Sequence, residues 1–171
     1  MSKAQVYRIL GIDPGTATTG FGLIDTTVSR VVDTLDYGVI RTQPKDTDSQ
    51  RLLILQEGIQ TLIDTYQPNI LAIEKLYAFR NTTTVITVAQ ARGVVLVNAE
   101  NYQIPIFEFT PLQIKQAITG YGKAPKKQMQ TMVSQILQLS SIPKPDDAAD
   151  GLAVALCCQA SLNYILQTYN S

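Results

Sequence analysis

The chain has 171 residues, 45% of them apolar, with 14 basic and 14 acidic side chains and no histidine. That length and composition fit one folded domain with a sizeable core and argue against a disordered chain. The lack of histidine excludes His-based triads, His-ligated metals and the commonest general base, so any chemistry must run on carboxylates, lysines, tyrosines or an oxygen-bound metal.

No apolar run approaches the roughly 18 residues that span a bilayer. The opening "MSKAQVYRIL" runs straight into a strand pattern rather than a signal-peptide apolar region. A soluble, cytoplasmic protein without a membrane partner is expected. Cys157 and Cys158 are adjacent and have no third cysteine to pair with, so they read as reduced core thiols.

In chain order, residues 6–12, 19–25 and 31–42 read as three strands, joined by short Gly-, Asp- and Thr-containing links as an antiparallel meander. Residues 48–67 place Leu52, Leu55, Ile59, Leu62 and Ile63 at helical spacing before Pro68. "NILAIEKL" (69–76) suits a buried strand parallel to the first. Residues 82–102 read as a second long helix with threonines able to cap its start, although their β-branched content also suits a strand. "IPIFEF" (104–109) is a further strand, and Thr110-Pro111 opens a helix in the favoured cap-then-proline order. A loop at 120–125, a helix at 126–139, a linker and a last helix from Asp146 to about Tyr164 follow. The order β-β-β-α-β-α-β-α-α-α implies an α/β fold with one five-stranded mixed sheet, three antiparallel strands plus parallel ones, flanked by helices.

Charge is distributed unevenly. Residues 1–108 carry 9 basic and 11 acidic side chains; 109–145 carry five lysines and no acid; 146–171 carry three aspartates and no base. A basic segment able to hold a polyanion thus abuts an acidic one able to hold cations.

Four acids stand out. On the first strand Ile9, Gly11 and Asp13 share a face; on the fourth, Ile70, Ala72 and Glu74 do. If these strands are parallel neighbours, Asp13 and Glu74 meet at the carboxyl ends of the sheet, where open α/β folds place ligands. Asp147 and Asp150, three apart, continue the stripe of Val154, Cys157 and Ser161 that packs on the sheet. Four converging acids repel one another unless cations sit between them. Oxygen-only donors suit Mg²⁺ or Mn²⁺, and two such ions about 4 Å apart can activate a water and stabilise the leaving oxygen of a phosphodiester. Singly, Asp13 before Pro-Gly also reads as a turn residue, Asp146 and Asp147 as helix caps, and Glu74 as a strand-end surface charge. The glycines of "LGIDPGTATTGFGLID" (10–25) would let a phosphate backbone approach, and its threonines would form a phosphate rim.

"GIDPG", "AIEKLY", "AQARGV" and "DDAADGLAVA", in this order over roughly residues 6–160, resemble the RuvC-type Holliday junction resolvases. The resemblance implies an RNase H-like fold over the whole chain, residues 1–171, and a homodimer. It implies Mg²⁺-dependent endonuclease activity making paired symmetric nicks across four-way junction DNA. It also implies partnership with a branch-migration motor of the RuvA and RuvB type. Asp13, Glu74, Asp147 and Asp150 fall on the metal-ligand positions; Asp146 is a near miss, and some relatives carry histidine at the third position. Tyr77 matches an aromatic that stacks on an unpaired base near the junction centre, with Arg80 and Asn81 following in a loop over the DNA. Lys115 and Lys126 match lysines near the scissile phosphate; Lys123 and Lys127 look like added backbone contacts. The helix containing "QARGVVLVNA" is expected at the dimer interface because its apolar residues cover more than one face.

Alternatives from the same residues are an RNase H-fold nuclease on another branched or hybrid substrate and a junction-binding protein without catalysis. A third is a sugar kinase or heat-shock-protein-type ATPase, whose phosphate loops also read G-I-D-x-G-T. The last needs two such domains and a far longer chain.

Overall fold

Strand β1 (Tyr7–Asp13) runs through the centre of a five-stranded sheet in the order β3-β2-β1-β4-β5. The computed structural model describes residues 5–76 and 82–169. β2 (Thr18–Thr26) pairs antiparallel with β1, and β3 (Val31–Arg41) antiparallel with β2, as the meander predicts. β4 (Ile70–Glu74) and β5 (Ile106–Phe109) add in parallel on the other side of β1. Helix α1 (Asp48–Tyr66) intervenes before β4, and α2 (Thr82–Asn101) before β5. Then come α3 (Pro111–Thr119), α4 (Lys126–Ile136) and α5 (Asp146–Tyr169).

Local signals set the boundaries. Thr47 caps α1 in a capping box with Gln50, and Gln67 closes it in the left-handed conformation just before Pro68. Thr110 and Gln113 make the same box at the start of α3, with Pro111 in the first turn and Gly120 (φ 70°) closing it. Despite its β-branched residues, α2 is helical: Ala91, Val95 and Ala99, four apart, are buried on one stripe. α4 ends at Ile136, three residues short of the predicted end. Gln138 turns left-handed and the Leu139 amide returns to the Ser134 carbonyl at 2.9 Å. α5 runs five residues beyond the predicted end, because Leu162 and Ile165 still face the core.

The sheet separates two apolar layers. Leu10, Ile12, Leu23, Leu71 and Ile73 face α1 and α2. Ile9, Ile24, Ile70 and Ala72 face α3, α4 and α5. By length and mean hydropathy α5 passes for a membrane span, but 61% of that window is buried in this second layer. Cys157 and Cys158 are buried free thiols there; burial pushes the Cys157 thiol up to about 12 and raises Cys158 as well.

How closely α5 approaches the sheet is decided by missing side chains. Gly11 lies opposite Gly22, and Asp13 opposite Gly20, in the β1–β2 register. A Cβ on Gly11 would strike the backbone of Gly151 and Ala155. One on Gly22 would come within 2.5 Å of Leu152 Cα, and one on Gly20 would strike the Asp147 carbonyl. On the helix, Gly151 would come within 2.5 Å of the Phe21 carbonyl carbon. Helix backbone therefore rests directly on strand backbone. α5 fills the space beside Gly11, Gly20 and Gly22, so the expectation that they open a path for a phosphate is corrected for these three; Gly15 packs instead on the Thr18 carbonyl.

Candidate active site

Asp13 and Glu74 end two adjacent parallel strands whose register runs through Ile12 opposite Ile73, so both carboxylates emerge at the same sheet end. Asp147 and Asp150 occupy the first two turns of α5. Because Gly20 is both the ladder partner of Asp13 and the seat of the Asp147 backbone, docking α5 brings Asp147 to Asp13.

One carboxylate oxygen each from Asp13, Asp147 and Asp150 lie within 4.8 Å of one another. Glu74 stands outside this trio but is close enough to Asp13 for each carboxyl to shift the titration of the other. Asp13, Glu74 and Asp150 line a cleft of about 270 Å³ with Lys115, Lys126 and an apolar wall of Pro111, Ile114, Met129 and Ala153. Asp146 is turned outward, its side chain 63% exposed against 23% for Asp150.

The electrostatics follow from burial. Burial first, then the charges of Glu74 and Asp150, push the Asp13 carboxyl up to about 8. Burial also raises Glu74, offset in part by the hydrogen bond from Asp13 and by Lys115 and Lys126. Asp150 is raised by burial and relieved in part by Lys126, whose Nζ lies 2.9 Å from Asp150 Oδ2. Burial alone would lower the Lys126 ammonium, but Asp150, Asp146 and Asp147 outweigh it and raise it. Oxygen donors from three carboxylates within 4.8 Å of one another suit a hard divalent cation.

The turn that follows Asp13 is braced rather than open. Thr19, 1% exposed, donates to the Gly15 carbonyl at 2.6 Å and accepts from the Gly15 amide at 3.3 Å. Thr42 at the end of β3 donates through Oγ1 to the Thr16 carbonyl at 2.8 Å. Thr19 is thus turned inward instead of forming part of a phosphate rim. Lys123 and Lys127 are exposed on the α3–α4 loop and the first turn of α4, outside the cleft lining. Tyr77, Arg80 and Asn81 lie outside the described residues.

The apolar wall and the glycine seat of α5 were not assigned to the site from sequence. Met129 and Ala153 carry the ordinary pattern of core helix positions. The glycines had a visible signal, since Gly11, Gly20 and Gly22 sit two or nine apart on strands whose faces can be counted, but their partner helix could not be read locally.

A family model described as crossover junction endodeoxyribonuclease RuvC matches residues 9–158. The crossover junction endodeoxyribonuclease RuvC of Caldicellulosiruptor saccharolyticus is 47% identical over 159 residues, 93% of this chain and 96% of that protein. That of Syntrophomonas wolfei is 51% identical over 150 residues, 88% of this chain and 87% of that protein. The solved structure of T. thermophilus RuvC in complex with Holliday junction substrate is 29% identical. It covers 92% of this chain and 96% of its own, with a TM-score of 0.86. The yeast mitochondrial Holliday junction resolvase Ydc2, 17% identical with a TM-score of 0.65, shares the fold.

Proposed function

Since the chain belongs to the RuvC family of crossover junction endodeoxyribonucleases, we propose that it resolves four-way DNA junctions as a homodimer, by paired symmetric nicks in strands of like polarity, in recombination and repair. Its catalytic set is Asp13, Glu74, Asp147 and Asp150, within one nuclease domain spanning residues 1–171 in the cytoplasm. The observation that carries this reading is the convergence of Asp13, Asp147 and Asp150 within 4.8 Å beside a cleft lined by two lysines.

The same four carboxylates would hold Mg²⁺, two ions per site, with Mn²⁺ able to substitute; the chemistry such ions supply is activation of a water and stabilisation of the leaving oxygen. The chain's own part is positioning. Asp13 is fixed by the β1 ladder and the braced turn behind it. Asp147 and Asp150 are fixed by glycine contacts that leave α5 no slack. Lys115 and Lys126, on α3 and α4, face the carboxylates across the cleft and are placed to bind the phosphate that enters between them. Lys123 and Lys127 extend this positive rim, and Tyr77, Arg80 and Asn81 serve the junction centre. The apolar wall of Pro111, Ile114, Met129 and Ala153 limits water beside the carboxylates.

Dimerisation is supported by α1 and α2. Leu53, Ile86 and Val97 are 53%, 58% and 60% exposed. The groove between the helices is lined by Leu52, Gln56, Gln90, Gly93, Val94 and Val97. Buried Asn98 Oδ1, in the same groove, finds no donor among the described residues. A second copy would cover this face, and a RuvA- and RuvB-type motor would present the junction to both sites.

The test is a synthetic four-way junction with labelled strands, incubated with Mg²⁺. Symmetric paired nicks by the wild type and none by Asp13→Asn are the expected result. Cleavage indifferent to the branch point would discard the junction reading.

A further inference from the structure

The loop at 120–125 displays Tyr121 with 58% of its surface exposed, on a backbone that is held from several sides. Thr119 Oγ1 donates to the Tyr121 carbonyl at 2.9 Å and accepts from the Tyr121 amide at 3.2 Å. The Ala124 amide returns to the Tyr121 carbonyl at 3.2 Å, and Ala124 itself is buried. Gly122 packs so closely on Leu112 that a Cβ there would strike Leu112 Cδ1. Leu112 is 55% exposed and neighbours Pro111 of the cleft wall. Two exposed apolar side chains, Leu112 and Tyr121, are thus tied through Gly122 in a segment that borders the cleft at Pro111 and Lys126 and carries Lys123 and Lys127.

A ring in this position does nothing for the core. It sits in a segment, 109–145, that has five lysines and no acid, so the field around it selects a polyanion. Cations for phosphates together with a π face for bases or sugars is how single nucleic-acid strands are gripped without sequence readout. We propose that Tyr121, beside Leu112, is a stacking contact for the DNA strand where it continues past the nicked phosphate. This rests on the junction-cleaving reading above.

The test is binding of a four-way junction carrying 2-aminopurine next to the nick positions, in EDTA so that no cleavage intervenes, across a salt series. Tyr121→Ala is expected to weaken binding roughly tenfold, to relieve quenching of the 2-aminopurine and to leave the salt slope unchanged. Tyr121→Phe should behave as wild type. Unchanged affinity and quenching in Tyr121→Ala would overturn the inference, as would an equal loss in Tyr121→Phe or a reduced salt slope, which would point to a hydroxyl contact or displaced lysines. A wild type with no preference for the junction over linear duplex would overturn the functional reading first, and the stacking contact with it.

Discussion

Lys126 Nζ lies 2.9 Å from Asp150 Oδ2 and 3.9 Å from Asp146 Oδ2, so an ammonium from α4 sits at the rim of the carboxylate cluster on α5. It is half exposed, which keeps its contribution to stability small. Its value lies in where it places positive charge: within reach of both the acids and an incoming phosphate.

Lys126→Ala should therefore change function more than stability. Junction cleavage should fall at least tenfold, and the dependence of log K on log salt should flatten by about one phosphate contact. Melting should shift by no more than about 1 kcal/mol equivalent. Cleavage rates and binding across a salt series check this; an unchanged slope would remove Lys126 from the phosphate contacts.

The raised acids give the metal-free protein a definite pH dependence. Asp13 has its folded carboxyl at about 8, whereas an unfolded aspartate titrates near ~3.9. Within this window the native state binds more protons than the unfolded one, so stability falls as pH rises from about 4 to about 8. Glu74 and Asp150 are raised and act with the same sign. Melting in EDTA should therefore decline over this range through these groups, while the increment from added Mg²⁺ should grow. A Mg²⁺ increment constant from pH 5 to 9 would contradict the linkage.

Asp13→Asn puts a permanently neutral group where the wild-type carboxyl must take up a proton on folding, with little change of shape. The variant should melt higher than wild type in EDTA, by roughly 2–4 °C per kcal/mol relieved. It should show a reduced Mg²⁺ increment and no cleavage. A lower melting point would mean that the asparagine amide cannot replace the hydrogen bond to Glu74.

Two glycines make opposite cases. Gly20→Ala places a methyl against the Asp147 carbonyl, and should destabilise by about 1–3 kcal/mol while weakening Mg²⁺ binding, because Asp147 must move. Gly93→Ala meets nothing within 4 Å and should stabilise α2 in the monomer by about 0.8–1 kcal/mol. Thermal melts with Mg²⁺ titration separate the two.

The proposed dimer face is checked by Val97→Glu. It should leave the fold intact, yield monomers in sedimentation and uncouple the two nicks of a junction. A variant that stays dimeric would place the interface elsewhere.

Much of this was legible along the chain. The alternation of β1 and β4 set Asp13 and Glu74 on one face, and the three-residue spacing of Asp147 and Asp150 set both on the buried stripe of α5. Periodicity and caps located every element, since both are local. What could not be read was the depth of docking. That Gly11, Gly20 and Gly22 serve one helix, and that Thr19 is turned inward, depends on a contact between the chain's first hairpin and its last helix. For the same reason Glu74 proved one step removed from the aspartate trio: strand register fixes which side chains share a face, not which pair of oxygens lies closest.

The glycine seat has a consequence for synthesis. Three of the site's four acids come from β1 and from α5, the first and last elements of the described chain, and Glu74 comes from β4 between them. Those on α5 arrive in the same 24-residue helix whose backbone rests on β1 and β2. A nascent chain stalled before residue 146 therefore lacks two acids and also the helix backbone that rests on Gly11, Gly20 and Gly22, leaving the β1–β2 part of that face uncovered. A chain stopped there lacks both the helix that seats on the β1–β2 glycines and two of the four acids, so cover for the sheet and completion of the acid cluster arrive together.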